Sequence, residues 1–136
     1  MDVPLHKALN GGSESVLVVE DKQLVKDTIV TILKKLGYDV ISAVDGHEAL
    51  GQLKCSGFTP DLLLTDIMLP GSLNGREVSE EVLALHPGCR IIYMSGYSAD
   101  TLSDRNLLPR GSERLSKPFS SSILANTIRK ALEAGA

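Results

Sequence analysis

Three short runs of this chain are apolar without interruption, and they limit the possible folds more than any other feature. They are "VLVVE" (Val16–Glu20), "DLLLTD" (Asp61–Asp66) and "CRIIYMS" (Cys89–Ser95). A strand that is buried on one face alternates apolar and polar residues, whereas a strand that is covered on both faces reads as a continuous apolar run. "YDVISAV" (Tyr38–Val44) is predicted as a further strand of the same sheet.

Segments with a helical period separate these strands. The period is clearest in Lys22–Leu36, which Gly37 ends, and in Ser120–Ala134, where serines supply the N-cap. Strands that alternate with crossover helices indicate an α/β fold, a parallel sheet with helices on both faces. The other predicted elements are helices over 46–55, 74–87 (broken at Pro87) and 97–108 (weakly patterned), and a fifth strand of poor composition over Glu113–Ser116.

Length and charge suggest a single domain and exclude several classes of function. With 136 residues, the chain is expected to hold one domain over 16–134, after a linker or disordered N-terminal tail over 1–15. A net charge of −3 with scattered basic residues gives no sign of a nucleic-acid surface. There is no apolar signal segment and no run near the roughly 20 residues that span a bilayer. A cytoplasmic protein without membrane insertion is therefore expected.

Charged and hydroxyl side chains fall at the ends of the predicted strands. The first strand is predicted to end at Glu20 and Asp21, the third at Asp66, the fourth at Ser95 and the fifth at Lys117. Parallel sheets place ligands at the carboxyl ends of their strands, so these groups should converge. Three carboxylates would repel one another, and Mg²⁺, which prefers oxygen ligands, would relieve that repulsion. An aspartate nucleophile beside a lysine and a hydroxyl is suited to phosphoryl transfer.

Each of these residues alone is typical of a turn or a helix cap, but their order and placement together resemble the receiver domain of two-component response regulators. The matching text is "VLVVED", "LLLTDIMLPG", "NGRE", "IIYMSGY" and "SKPF", and the resemblance extends from Val16 to about Ala134. It implies a flavodoxin-like receiver fold, a doubly wound five-stranded parallel sheet in the order 2-1-3-4-5. It also implies a signalling domain that accepts a phosphoryl group and catalyses only its own phosphoryl transfer and dephosphorylation.

The resemblance assigns a role to each strand-end residue. Asp66 is the expected phosphoryl acceptor and a magnesium ligand, Asp21 is expected to bind the ion directly, and Glu20 is expected to hold it through water. The backbone carbonyl of Met68 would be a further ligand. The remaining assignments are Ser95 as the switch hydroxyl, Lys117 as the phosphoryl-binding lysine with a cis bond to Pro118, and Gly96 as a small residue that leaves the phosphoryl group room.

Three positions depart from the family or modulate its chemistry. Arg114 stands where the family usually has the aromatic residue that moves with the switch hydroxyl, and a solvated side chain on an edge strand is the simpler interpretation. Met68 and Tyr97 flank the phosphorylation site. Because neither carries an acid or an amide that could orient a water molecule, slow self-dephosphorylation is expected.

The expected partner is a histidine kinase or a histidine phosphotransfer domain. A homodimer through the fourth helix, the fifth strand and the last helix is also expected. The leading "LNGGSES" favours the receiver part of a hybrid sensor histidine kinase, with a stand-alone regulator as the alternative. A haloacid-dehalogenase-type phosphatase would need a second aspartate where Met68 stands. A nucleotide or flavin binder would need a phosphate loop after the first strand, and "EDKQLVK" has none.

Overall fold

A computed structural model describes residues 11–96 and 112–134 of the chain. Five parallel strands form one sheet in the order β2-β1-β3-β4-β5, as predicted. The strands are β1 (Ser15–Val19), β2 (Asp39–Ala43), β3 (Leu62–Asp66), β4 (Arg90–Ser95) and β5 (Glu113–Ser116).

Four helices complete the described part of the chain, and three of them begin at a side-chain cap. Asp45, Asn74 and Ser120 each accept a hydrogen bond from the backbone N–H three residues later, which satisfies a donor that the first helical turn leaves unpaired. The helices are α1 (Gln23–Lys35), α2 (Gly46–Ser56), α3 (Gly75–Leu85) and α4 (Ser121–Glu133).

The apolar runs form strands whose alternate side chains enter two separate cores. In β1, Val16 and Val18 pack into a core with α1 and α4, whereas Leu17 and Val19 pack into a core with α2 and α3. All four side chains are 0% exposed. Burying a side chain of this kind contributes about 1.5–3 kcal/mol. The absence of alternation in the sequence therefore has a direct cause, since both faces of the sheet are covered.

The differences from the predicted elements lie at their ends. β1 ends at Val19, so Glu20 follows the strand, and α3 ends at Leu85, two residues before Pro87. β5 forms despite its poor composition: it pairs in register with β4, its Leu115 is buried, and an edge strand tolerates charged residues. The helix predicted over 97–108 lies outside the described residues, as does most of the predicted N-terminal tail. Within the described ranges, no helix is long and apolar enough to cross a membrane.

Candidate functional site

The sheet register brings the predicted functional residues to one edge. Val19 of β1 pairs with Thr65, which directly precedes Asp66, and Ser95 of β4 pairs with Ser116, which directly precedes Lys117. The three inner strands and β5 therefore end at the same level. Functional side chains that are far apart in the chain meet at the carboxyl edge of the sheet, as the sequence predicts.

Lys117 joins two of the acids. Its ammonium nitrogen lies 2.5 Å from Glu20 Oε1 and 2.6 Å from Asp66 Oδ1. The backbone N–H of Lys117 donates to the carbonyl of Ser95 at 2.8 Å, and the Lys117–Pro118 bond is cis, as predicted. The lysine side chain is 22% exposed, so its charge acts in a partly dehydrated setting where electrostatic interactions are strong.

Glu20, Asp21 and Asp66 form a compact acidic cluster. One carboxylate oxygen from each lies within 4.8 Å of the others. Glu20 is 0% exposed and Asp66 is 6% exposed, whereas Asp21 is exposed to solvent. The second oxygen of Glu20 accepts the backbone N–H of Lys22 at 3.0 Å. The cluster thus has a buried, hydrogen-bonded side and a side that is open to solvent.

The pKa values of the two buried acids shift in opposite directions. Burial and the neighbouring Glu20 raise the pKa of Asp66 to about 7, although Lys117 opposes this shift. Burial also raises the pKa of Glu20, but hydrogen bonds from Asp66, Lys117 and the Lys22 backbone outweigh it and lower the pKa overall. Burial depresses the pKa of Lys117, and its bonds to Asp66 and Glu20 raise it further than burial lowers it. The carboxyl of Asp66 therefore binds a proton more readily than that of Glu20.

This donor set fits a hard divalent cation. Mg²⁺ takes oxygen ligands, keeps several waters and typically binds one or two carboxylates together with phosphate oxygens. Asp21 and Asp66 could supply such ligands from the open side of the cluster, and a cation there would offset the repulsion between neighbouring carboxylates. The remaining acid, Glu20, is engaged by Lys117.

The segment after Asp66 is held closely against the site. Gly75, the first residue of α3, donates its backbone N–H to the Ile67 carbonyl at 2.7 Å. A Cβ on Gly75 would overlap the Asp66 carbonyl oxygen and lie 2.9 Å from Ile67 Cα. Asn74 and Glu77 form a reciprocal capping box at the same helix end. Sequence reasoning missed the contact of Gly75 with Asp66, because nothing in the sequence reports how closely the two backbones approach.

An open cavity of about 880 Å³ lies between α1 and the site. On the α1 side its lining is apolar. Of the predicted phosphorylation, switch and metal residues of the described chain, only Glu20 does not line this cavity. The others all do: Asp21, Asp66, Met68, Ser95, Gly96, Lys117 and Pro118. The phosphoryl acceptor predicted from the sequence is therefore reachable from solvent.

Of the two positions predicted to modulate the site, Tyr97 and Arg114, the structure describes only Arg114. Tyr97 lies outside the described residues. Arg114 is half-buried on the edge strand β5, in register with Tyr93 of β4. Tyr93 is 4% exposed and its hydroxyl lies 2.7 Å from Ser79 Oγ on α3. The aromatic side chain on this face thus comes from β4, the neighbour of the strand that carries Arg114.

Fold and site together define a receiver-type signalling domain, and comparisons with known proteins agree. Residues 16–129 match the family described as response regulator receiver domain. The chain is 36% identical to the sensor kinase CckA of Brucella abortus over 124 residues, 90% of this chain and 13% of that one. It is 34% identical to the response regulator receiver protein CpdR of the same organism over 117 residues, 86% of this chain and 95% of that one.

A solved structure of a receiver protein has the same fold. The response regulator receiver protein from Sinorhizobium medicae superposes with a TM-score of 0.79 at 26% identity, covering 91% of this chain and 98% of that one. The chain belongs to the family of response regulator receiver domains. It spans only 13% of the length of the sensor kinase but nearly all of CpdR, so the similarity concerns the receiver domain.

Proposed function

We propose that this domain accepts a phosphoryl group on Asp66 from a phosphohistidine of a kinase or phosphotransfer domain in the cytoplasm. The observation that carries the proposal is the position of Lys117, whose ammonium lies 2.6 Å from Asp66 Oδ1 at the open end of a buried strand. A solvated turn acid would have neither the buried strand beneath it nor this lysine. Members of the family act with histidine kinases or phosphotransfer proteins.

The proposed transfer is an in-line displacement. A carboxylate oxygen of Asp66 attacks phosphorus, the bond from phosphorus to the donor histidine nitrogen breaks, and that nitrogen leaves with the electron pair. Lys117 and Ser95 bind the phosphoryl oxygens, so Lys117 exchanges its contact with the carboxylate for one with the new group. A magnesium ion held by Asp21, Asp66, the Met68 carbonyl and, through water, Glu20 would neutralise charge on the transferring group. Positioning and charge neutralisation are the main requirements of such a reaction.

Phosphorylation is proposed to act as a conformational signal. The contacts of Ser95 and Lys117 with the phosphoryl group would favour a different arrangement of the loops that carry them, and so shift the population between two states. Gly96 leaves space beside this group: a Cβ at this position would meet no atom within 4 Å. We retain, as a readout of that shift, the predicted homodimer through the helix predicted over 97–108, β5 and the last helix, α4.

Intact mass spectrometry tests the proposal directly. The wild-type protein is incubated with Mg²⁺ and acetyl phosphate beside Asp66→Asn and the matched control Asp39→Asn, which removes an exposed acid at the start of β2. One added phosphoryl group is expected in the wild type and the control and none in Asp66→Asn. An adduct that persists in Asp66→Asn would place the acceptor elsewhere.

The lifetime of the phosphorylated form is a second expectation. Met68 is 54% exposed beside the site and carries no group that could orient an attacking water molecule. We therefore expect the aspartyl phosphate to decay over minutes or longer. Decay followed by mass spectrometry after removal of the phosphodonor measures this directly, and a half-life of seconds would contradict it.

The protein in which this domain works is proposed to be a hybrid sensor histidine kinase. The similarity to the sensor kinase CckA favours this context, whereas the nearly complete overlap with CpdR favours a stand-alone regulator. An antibody raised against the domain separates the two in cells of the source organism. A band much larger than 14.6 kDa supports the kinase, and a band near 14.6 kDa supports the stand-alone regulator.

A further inference from the structure

Arg129 of α4 forms hydrogen bonds with residues 11–14, the segment that leads into β1. One of its terminal nitrogens donates to the Gly11 carbonyl at 3.1 Å and to Glu14 Oε1 at 3.0 Å, and the other donates to Glu14 Oε2 at 2.5 Å. The guanidinium therefore binds the Glu14 carboxylate in a bidentate manner, through two parallel hydrogen bonds. This geometry makes arginine–carboxylate pairs strong and directional. The remaining nitrogen donates to Glu133 at 2.8 Å, which orients the arginine on its own helix.

Backbone contacts hold the same segment from a second side. The N–H of Gly12 donates to the Leu36 carbonyl at the end of α1 at 3.1 Å, and the Glu14 carbonyl accepts the N–H of Asp39 at 3.0 Å. The Leu36 carbonyl is one of the acceptors that a helix end leaves without an internal partner. Residues 11–14 therefore complete the hydrogen bonding of α1 and extend the pairing of β1 with β2.

The two glycines of this segment are closely packed. A Cβ on Gly12 would overlap Arg129 and Glu14 and would lie 3.0 Å from a ring carbon of Tyr38, whose side chain is 4% exposed. A Cβ on Gly11 would overlap the Leu36 carbonyl. A "GG" pair in a solvated linker would meet no such neighbours. Here glycine lets the chain approach the arginine, the tyrosine and the helix end.

We propose that Arg129, Tyr38 and the end of α1 form an intramolecular docking site for residues 11–14, so that these residues belong to the folded unit and fix the direction of the chain where it leads into β1. The docking site lies at the amino ends of the strands, because Ser15 begins β1, whereas Asp66 lies at their carboxyl ends. Residues 11–14 therefore lie at the opposite edge of the sheet from Asp66.

Docking of residues 11–14 would limit the orientations that a preceding domain could take relative to this one. A flexible linker would let a preceding domain take many orientations. A docked segment removes that freedom at its last four residues and couples the direction of the chain to α4. The negative charge of Glu14 stabilises the docked segment through its bonds to Arg129. These bonds hold the pKa of this carboxyl at about 2.

Backbone relaxation and hydrogen exchange of the ¹⁵N-labelled full chain test the proposal. In the wild type, the amides of Gly12 and Glu14 are expected to show order parameters of about 0.85, the value for rigid backbone. In Arg129→Met they should fall below about 0.6, the range of flexible segments. The Gly12 amide should then exchange about tenfold faster, because its bond to Leu36 is no longer protected.

Lys130→Met is the matched control. It removes an exposed cation from the same helix, one residue away, and should leave the segment rigid. Glu14→Ala removes the other side of the contact and should release the segment as Arg129→Met does, and it decides the question if Arg129→Met does not fold. Flexible residues 12–14 in the wild type, unchanged order parameters in Glu14→Ala, or equal release in Lys130→Met would overturn the proposal.

Phosphorylation of Asp66 is measured on the same samples. Arg129 lies at the opposite end of the strands from the acidic cluster, so phosphorylation by acetyl phosphate should stay within about twofold of wild type. A failure of docking and a failure of the proposed phosphoryl transfer therefore give different results.

Discussion

Gly75→Ala tests how closely α3 must approach the phosphoryl acceptor. In an open helix, alanine is more favourable than glycine by about 1 kcal/mol, because it loses less backbone entropy on folding. At position 75 the added Cβ would overlap the Asp66 carbonyl oxygen and lie 2.9 Å from both the Asp66 carbonyl carbon and Ile67 Cα. All three neighbours are backbone atoms, so no side chain can rotate to make room.

The expected loss in the free energy of unfolding is the sum of two unfavourable contributions, less the gain in helix propensity from alanine. Overpacking a well-filled site costs about 1–3 kcal/mol. Moving α3 away to relieve it weakens the bond from the Gly75 N–H to the Ile67 carbonyl, which has a net value of about 1 kcal/mol. After the gain in helix propensity, Gly75→Ala should lower the free energy of unfolding by about 2 kcal/mol. Because the overlap also pushes on the Asp66 backbone and displaces it relative to Lys117, phosphorylation should slow by about tenfold or more.

Urea unfolding and acetyl phosphate labelling provide the assays, with Gly51→Ala as the matched control. Gly51 is an exposed residue of α2, and a Cβ there would meet nothing within 4 Å. The same substitution should therefore stabilise the protein by about 0.5–1 kcal/mol at position 51 and destabilise it at position 75. A Gly75→Ala protein as stable as Gly51→Ala, with normal labelling, would refute the steric argument.

Two further predictions concern stability. The pKa of Glu14 is about 2, below its ordinary value of 4.5, so its pair with Arg129 should add about 1 kcal/mol above pH 4.5 that is lost as the pH falls towards 2. The gap in urea midpoint between wild type and Glu14→Gln should therefore close on acidification, and a constant gap would contradict the assignment. Ser120→Ala removes the cap of α4 and should cost about 1 kcal/mol in the free energy of unfolding, whereas Ser122→Ala, which makes no cap, should cost much less. Equal losses in thermal unfolding would count against the cap.

Local sequence patterns were enough to predict a parallel sheet and the candidate residues at its carboxyl edge, and the resemblance supplied the order of the strands. A strand covered on both faces must be apolar throughout, so β1 and β3 are visible in the sequence without tertiary information. The acids lie at the ends of such strands, and Lys117 directly follows the predicted fifth strand. Once the strands are taken as parallel, their carboxyl ends must meet, and the convergence of Asp66 with Lys117 follows from topology alone.

Other properties depended on the tertiary structure, because they arise between residues that are distant in the chain. The pairing of Lys117 with both Glu20 and Asp66 depends on side-chain distances that no spacing encodes. The raised pKa of Asp66 depends on how much water the surrounding strands exclude. Gly12 in a "GGS" segment has the composition of a flexible linker, and only its packing against Arg129 reveals a close contact. Local sequence determined which elements form and what chemistry they carry, and tertiary packing decided the distances and the dehydration that set how that chemistry acts.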